Sequence, residues 1–308
     1  MSNRDLAGST IAPISGINEI QYNFTLYFCC GAIRLERMAS PTIVRTLADV
    51  VDLSRYPIGE PDDPRRAALI EYCRAALAFE GACQLPGFVR PDAVALLVAE
   101  ALGKRDLSYR TDDTHNVYFE KVAASDPNVA GGALEHSSKN AIAWDLIDEN
   151  SPLRIAYESD VLTTFLGEAL SMKDIHRYAD PFGAASLMLF EPGDELGWHF
   201  DRSPFAVTVM LQPSRSGGEY QYHHHLRSES DENAADVLAA LRDEQPGRIT
   251  LPNDPGTLSM FRGKYSLHRV TPVSGEQVRI NAVLAYSAAP GDKLNALTQE
   301  LFYGRRSD

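Results

Sequence analysis

From Asp63 to Phe79 the chain reads DPRRAALIEYCRAALAF, and its apolar positions Ala67, Ile70, Cys73 and Leu77 recur at intervals of three and four. That period lines them along one stripe of an amphipathic helix, with Pro64 suited to the first turn and Gly81 just beyond the end. "ACQLPGFV" then predicts a short strand that stops before Pro91, and "RPDAVALLVAEALG" a second helix closed by Gly103. A third helix is expected between about Glu158 and Leu170, and "HNVYFEK", residues 115–121, as a strand.

The pattern changes in the second half. "ASLMLFEPG", "FAVTVMLQP", "GGEYQYHHH", "GTLSMFRG" and "RINAVLAYS" are short runs rich in β-branched and aromatic residues, each bounded by Gly, Pro or Ser, and one helical stretch, "ENAADVLAALRDE", interrupts them. Short antiparallel strands with flanking helices predict a mainly β fold, a jelly-roll barrel buttressed by helices. Residues 38–308 are expected to form a single domain, with helical support over 60–175 and the barrel core over 176–290. Residues 1–37 read as an N-terminal arm or a start-site artefact. Their apolar run "YNFTLYFCCGAI" is too short to span a bilayer, and neither a basic flank nor a small-residue cleavage site accompanies it.

Composition narrows the partners. A formal charge of −13, from 42 acids against 29 bases, leaves no long basic face to neutralise phosphates, so neither nucleic acid nor an anionic membrane is expected. A small-molecule substrate fits better. The four cysteines, Cys29, Cys30, Cys73 and Cys83, form no paired metal motif and no disulfide framework, which suits a reducing compartment, the cytoplasm by default.

Candidate chemistry centres on "GWHFDRSPF". Of the eight histidines only His199 has an acid two positions later, Asp201, and on a strand residues i and i+2 project to the same face. An imidazole and a carboxylate supply two of the three ligands of a facial triad for non-haem Fe(II). The third is expected from another strand, and His268 in "RGKYSLHRVTPV" is the best placed. Arg279, in "QVRINAVLAYS", would present a guanidinium fork for a carboxylate, with Asn281 two positions on along the same face.

The order H-x-D, "GGEY", "PGTLSMFRG" and "SLHRVTPVSGEQVRI" resembles the 2-oxoglutarate/Fe(II)-dependent dioxygenase superfamily, and within it the free amino-acid radical halogenases and related hydroxylases, in particular the lysine-type enzymes. The resemblance covers roughly residues 175 to 290 by motif. It implies a double-stranded β-helix, iron held by His199, Asp201 and His268, and the far carboxylate of 2-oxoglutarate held by Arg279. It further implies dioxygen as co-reactant and oxidation of an unactivated C–H bond in a free amino acid, a lysine-like one preferred. The halogenases of that family replace the acid of H-x-D by a small residue. Here Asp201 stands there, so hydroxylation is the expected outcome. Alternatives are a radical halogenase acting on an amino acid or nucleotide, and a non-catalytic jelly-roll metal-binding or sensor protein.

Substrate-binding groups are expected among His115, Asn116, Tyr118, Glu120, His136, Asn140, Asp180, Glu191 and Asn281, polar residues near expected strands or loops. The triplet His223, His224 and His225 has no acid or cysteine nearby and reads as a strand running out into a loop. Arg269, next to His268, is expected to point outward to solvent.

Overall fold

The computed structural model describes residues 44–120 and 125–307. The N-terminal arm expected over residues 1–37, with Cys29 and Cys30, lies outside them.

An 11-stranded antiparallel sheet curls over to make both walls of a barrel. One wall runs Ala82–Leu85, Leu258–Phe261, Ala206–Gln212, Arg279–Leu284, Ala185–Phe190, Glu135–Ile142, with Tyr109–His115 paired beside Glu135–Ile142. The other wall runs Leu196–His199, Leu267–Val270, Tyr220–His223, Ile249–Leu251. This is the jelly-roll arrangement that the short, turn-punctuated strands predict.

Alternation along each strand sorts the side chains. On the first wall Ile142, Leu187, Leu189, Val207, Val209, Leu258, Met260, Ile280, Ala282 and Leu284 are buried in one cluster with residues of the helices Pro64–Phe79, Pro91–Gly103, Pro152–Tyr157 and Asp160–Ala169. The helices therefore back the wall from outside, and the intervening residues, Arg279 and Asn281 among them, face the opposite way. On the second wall Trp198, Phe200 and Leu267 pack with Val117, Leu226, Val237 and Ala240, so the helix Ala234–Leu241 covers the outside there.

The helix expected from Asp63 spans Pro64–Phe79. The Asp63 carboxylate accepts from the Arg65 N–H at its start, and Ile70, Cys73 and Leu77 are its buried stripe, while Ala67, expected on that stripe, is exposed. Cys73 and Cys83 are free and buried.

Two expectations are corrected. "HNVYFEK" is not a strand: the strand is Tyr109–His115, and the chain turns immediately afterwards. Asn116 forces the turn, because its Oδ1 accepts from the N–H groups of Tyr118 and Glu120, and Phe119 takes a left-handed conformation with φ 53°. In addition, residues 60–175 are not only helical support. Ala82–Leu85, Tyr109–His115 and Glu135–Ile142 all join the barrel sheet.

The C-terminal helix Ala296–Tyr303 closes one side of the first wall, where Tyr303 packs with Ala141, Ala143 and Phe182. Among the described residues no helix is long and apolar enough to cross a membrane.

Candidate functional site

His199 ends the Leu196–His199 strand, and His268 sits directly opposite it on the neighbouring antiparallel strand. Asp201 lies past the strand end, so strand alternation is not what aims it; its N–H donates to the carbonyl of Gly263 at 3.0 Å. One ligand atom from each of the three residues falls within 4.8 Å of the others. Asp201 Oδ1 is 3.8 Å from His199 Nε2 and 3.5 Å from His268 Nε2.

Both imidazoles are oriented by backbone carbonyls. His199 Nδ1 lies 2.8 Å from the Gly197 oxygen and His268 Nδ1 2.9 Å from the Ser266 oxygen. A carbonyl only accepts, which assigns the proton to Nδ1 and leaves each Nε2 lone pair turned toward Asp201. Burial, with the second imidazole beside it, pushes His199 down to about 3, so it is neutral. Burial alone would raise the Asp201 carboxyl, but the two imidazoles bring it below its ordinary value, so it is an anion. Two imidazole nitrogens and one carboxylate on one side of a shared centre suit a divalent first-row metal with open positions.

Arg279 is 4% exposed. Its Nε donates to the Gly218 carbonyl at 2.9 Å and its Nη1 to Asn281 Oδ1 at 2.8 Å, and its guanidinium lies 5.1 Å from the centre of the Phe190 ring. Gly218 has φ +62°, and a Cβ there would meet Ser214 Oγ at 2.5 Å and Arg279 Cδ at 3.0 Å, so only glycine permits this approach. Burial lowers the guanidinium to about 10, and among the described residues no carboxylate pairs with it. A buried cation without a counter-ion is costly unless an anion joins it.

Tyr220 belongs to the same site and is not among the expected residues. Its ring stacks on His268 at 5.6 Å, and burial, together with the Asp201 charge, raises its hydroxyl well above the ordinary range, so it stays protonated. The one signal for it in the sequence is the period-two pair Tyr220 and Tyr222 in "GGEYQYH". Phe261 packs edge-on to His268 at 4.9 Å and Phe119 edge-on to His199 at 5.4 Å. They place hydrocarbon beside both imidazoles.

Of the residues considered for substrate, the structure brings His115 and Asn281 to this site. The His115 ring is 6.0 Å from that of His199, its Nε2 is 2.6 Å from Ser137 Oγ, and burial lowers its pKa. The others are engaged elsewhere. Asn116 spends its amide on the turn, its Nδ2 donating to the carbonyls of Glu120 and Gly131. Glu120 is exposed. His136 bridges Asp112 and Glu195 on the surface. Asn140 lies 3.4 Å from Asp194 on the face of its strand that carries Ser138, and Tyr118 stacks on Phe200. Asp180 is a structural staple: its carboxylate accepts from the N–H groups of Phe182, Gly183 and Leu294 and from Gln299 Nε2, tying the C-terminal helix to the loop before the Ala185–Phe190 strand.

The flanking residues are also settled. Arg269 points outward as expected, but it lies 4.5 Å over Trp198 and bonds Gln221 rather than standing free in solvent. His223 is buried against Trp198 at 5.5 Å, and His225 sits in a left-handed turn, so the triplet does not converge on a metal.

Among solved structures, the epimerase SnoN in complex with Fe3+, alpha ketoglutarate and nogalamycin RO is similar to this chain with a TM-score of 0.50 and 15% identity, covering 71% of this chain and 84% of its own. A 2OG-Fe(II) oxygenase family oxidoreductase from Burkholderia pseudomallei matches with a TM-score of 0.47 and 16% identity, over 72% of this chain and 92% of its own. AviO1 from Streptomyces viridochromogenes Tue57 matches at 0.47 and 19%, over 74% and 96%. No curated protein matches the chain in sequence. The likeness to SnoN supports the barrel fold. A family model, Halogenase D, matches residues 70–303, well over half of the chain and all four of the converging residues His199, Asp201, His268 and Arg279, so the chain belongs to the Halogenase D family.

Proposed function

We propose that this protein is a 2-oxoglutarate-dependent, non-haem iron dioxygenase that hydroxylates an unactivated C–H bond of a free amino acid, a lysine-like one by preference. The observation that carries the reading is the pairing of two features on one barrel: three ligand atoms within 4.8 Å of one another, and a buried guanidinium that no carboxylate among the described residues pairs with.

Residues His199, Asp201 and His268 would hold the iron, and Arg279 the far carboxylate of 2-oxoglutarate. Iron(II) with 2-oxoglutarate and dioxygen supplies an oxidant able to take hydrogen from carbon, the 2-oxoglutarate leaving as succinate and carbon dioxide. The chain's own contribution is placement and exclusion. Gly197 and Ser266 carbonyls fix the two imidazoles, so the ligand set needs little reorganisation when the ion arrives. Asn281 and Gly218 hold the Arg279 fork with Nε and Nη1, which leaves Nη2 to meet an anion. Tyr220 stays neutral between the Asp201 and Arg279 charges and adds a hydroxyl without adding a charge. Phe119, Phe261 and the Tyr220 ring keep water away from the imidazoles.

A second reading, halogenation, is favoured by the family's description, Halogenase D. Asp201 argues against it, because a carboxylate occupies the position and supplies the negative charge that a halide on the same ion would need. The test is a screen of purified, iron-loaded protein against free amino acids with 2-oxoglutarate, following succinate and the product mass. A product heavier by one oxygen supports hydroxylation, and one carrying chlorine supports the second reading. Absence of any succinate would count against both and leave a metal-binding protein without turnover.

A further inference from the structure

Lys139 lies on the Glu135–Ile142 strand between Ser137 and Ala141, its neighbours on the same face. That face is the inside of the barrel. Ser137 meets His115, which borders His199, and Ala141 pairs with Met188, which in turn pairs with Asn281. One step before the Asn140–Leu189 pair, Lys139 stands level with Phe190, over whose ring Arg279 lies. The lysine is therefore on the same wall as Arg279, separated from it by Phe190, and close enough to His115 for its charge to act on that imidazole.

Among the described residues the ammonium has only an aromatic partner. Nζ lies 5.3 Å from the centre of the Phe302 ring on the C-terminal helix. Asp194, the carboxylate whose charge acts on it, is already held by Arg110 Nη1 at 2.9 Å and Ser138 Oγ at 2.7 Å, on the opposite face of the strand. Among the described residues Lys139 forms no hydrogen bond and no ion pair, and burial lowers its pKa to about 8. A lysine in that position is not holding the fold together electrostatically. It is a half-buried cation with no anion beside it among the described residues.

We propose that Lys139 anchors the carboxylate of the primary substrate, the free amino acid of the reading given above. The proposal rests on the reading of the site given above, in which Arg279 is already committed to 2-oxoglutarate, so a second unpaired cation inside the same barrel is left for the other organic anion. An ammonium suits that role, because a point charge with three donors tolerates a ligand that must turn its reacting carbon toward the metal.

The experiment uses the full chain with Mn(II) in place of iron and saturating 2-oxoglutarate, so that binding is read without turnover. The probes are the free L-amino acids, L-lysine first, each beside its decarboxylated amine, cadaverine for lysine. The unmodified protein should bind an amino acid well above its amine. Lys139→Met should weaken the acid by about 10- to 100-fold, the size of one lost charge-assisted contact, and leave the amine unchanged. Lys139→Arg should recover most of the loss, and unimpaired 2-oxoglutarate binding by Lys139→Met shows that its barrel is intact. The proposal is overturned if Lys139→Met binds the acid as tightly as before, if it loses 2-oxoglutarate instead, if acid and amine bind the unmodified protein equally, or if no amino acid binds. Should Lys139→Met not fold, the acid-against-amine comparison on the unmodified protein still decides. Succinate release by the iron-loaded protein, measured in parallel, shows whether the oxygenase reading survives a failure of the carboxylate anchor.

Discussion

Asp201 rests against Gly263 so closely that a Cβ added to the glycine would lie 1.8 Å from Oδ2 and 2.5 Å from Cγ. The same glycine accepts the Asp201 N–H through its carbonyl. Gly263 is thus required by space and not by backbone conformation, and it fixes where the carboxylate can be. Gly263→Ala should fold, because the added methyl points at one side chain in a turn, but it must displace that carboxylate from the two imidazoles. A drop in Mn(II) or Fe(II) affinity of about 10-fold or more, the usual effect of disturbing a ligand's support, is expected by calorimetric titration. Unchanged metal affinity would show that Asp201 does not need its present position.

Removing either imidazole should abolish metal binding and 2-oxoglutarate turnover together. His199→Ala and His268→Ala leave the barrel's two large apolar clusters whole, since neither residue belongs to them. Far-UV circular dichroism should therefore stay native while metal titration goes flat. Full turnover in either variant would refute the ligand assignment.

Arg279 should matter for 2-oxoglutarate and not for the metal. Cutting a charge-assisted, buried contact is expected to cost about 2 to 4 kcal/mol, or roughly 30- to 1000-fold in 2-oxoglutarate affinity, for Arg279→Ala. Arg279→Lys should recover part of it, because an ammonium cannot keep the bonds to Gly218 and Asn281 and also present a fork. Both variants should titrate Mn(II) as the unmodified protein does. A loss confined to metal binding would reassign the residue.

What the sequence disclosed and what it hid follow from the range of the interactions. The Pro64–Phe79 helix and the core strands are written in local periodicity, and the H-x-D pair is close in the chain, so both were legible. The polar strand Glu135–Ile142, "EHSSKNAI", carries too little apolar alternation to stand out, and only its pairing with Tyr109–His115 and Ala185–Phe190 makes it a strand. Asn116 misleads for a related reason: an apparently free amide near an expected strand is consumed by four backbone contacts of its own turn. Tyr220 and Lys139 owe their significance to neighbours that are distant in sequence, His268 and Arg279 for the one, His115 and Phe302 for the other. No local pattern announces such a contact.

His136 offers a prediction about pH. Its hydrogen bonds to Glu195 and Asp112 raise its pKa above the ordinary 6.5. A group whose pKa is raised on folding contributes stability that is complete below the unfolded value and is lost as pH rises through the folded value. The unmodified protein should thus lose melting temperature modestly as pH rises beyond the ordinary histidine value of about 6.5 through this group, and His136→Gln should show a flatter profile there. The ion pairs are surface-exposed, so added salt should shrink the difference. An identical slope in the two proteins would remove His136 as its source.

Asp201 also decides between hydroxyl and halide transfer. As an anion facing both imidazoles it would, in the proposed site, fill the coordination position that a halide takes, and its charge would disfavour a second anion on the same ion. The product of the unmodified protein should therefore gain oxygen even in excess chloride. Asp201→Gly opens that position beside Gly263, where the carboxylate now lies. Space alone does not retain chloride, because a halide also needs donors around it and a substrate carbon held nearer to it than to a hydroxyl. The Gly263 side of the pocket offers Asp201 a backbone carbonyl, which accepts and cannot hold an anion. Asp201→Gly should consequently lose most hydroxylation and halogenate weakly or not at all, as read by product mass in the presence of chloride or bromide. Efficient chlorination by the unmodified protein would mean that Asp201 leaves the metal during turnover, and the hydroxylase reading would then give way to the activity for which its family is named.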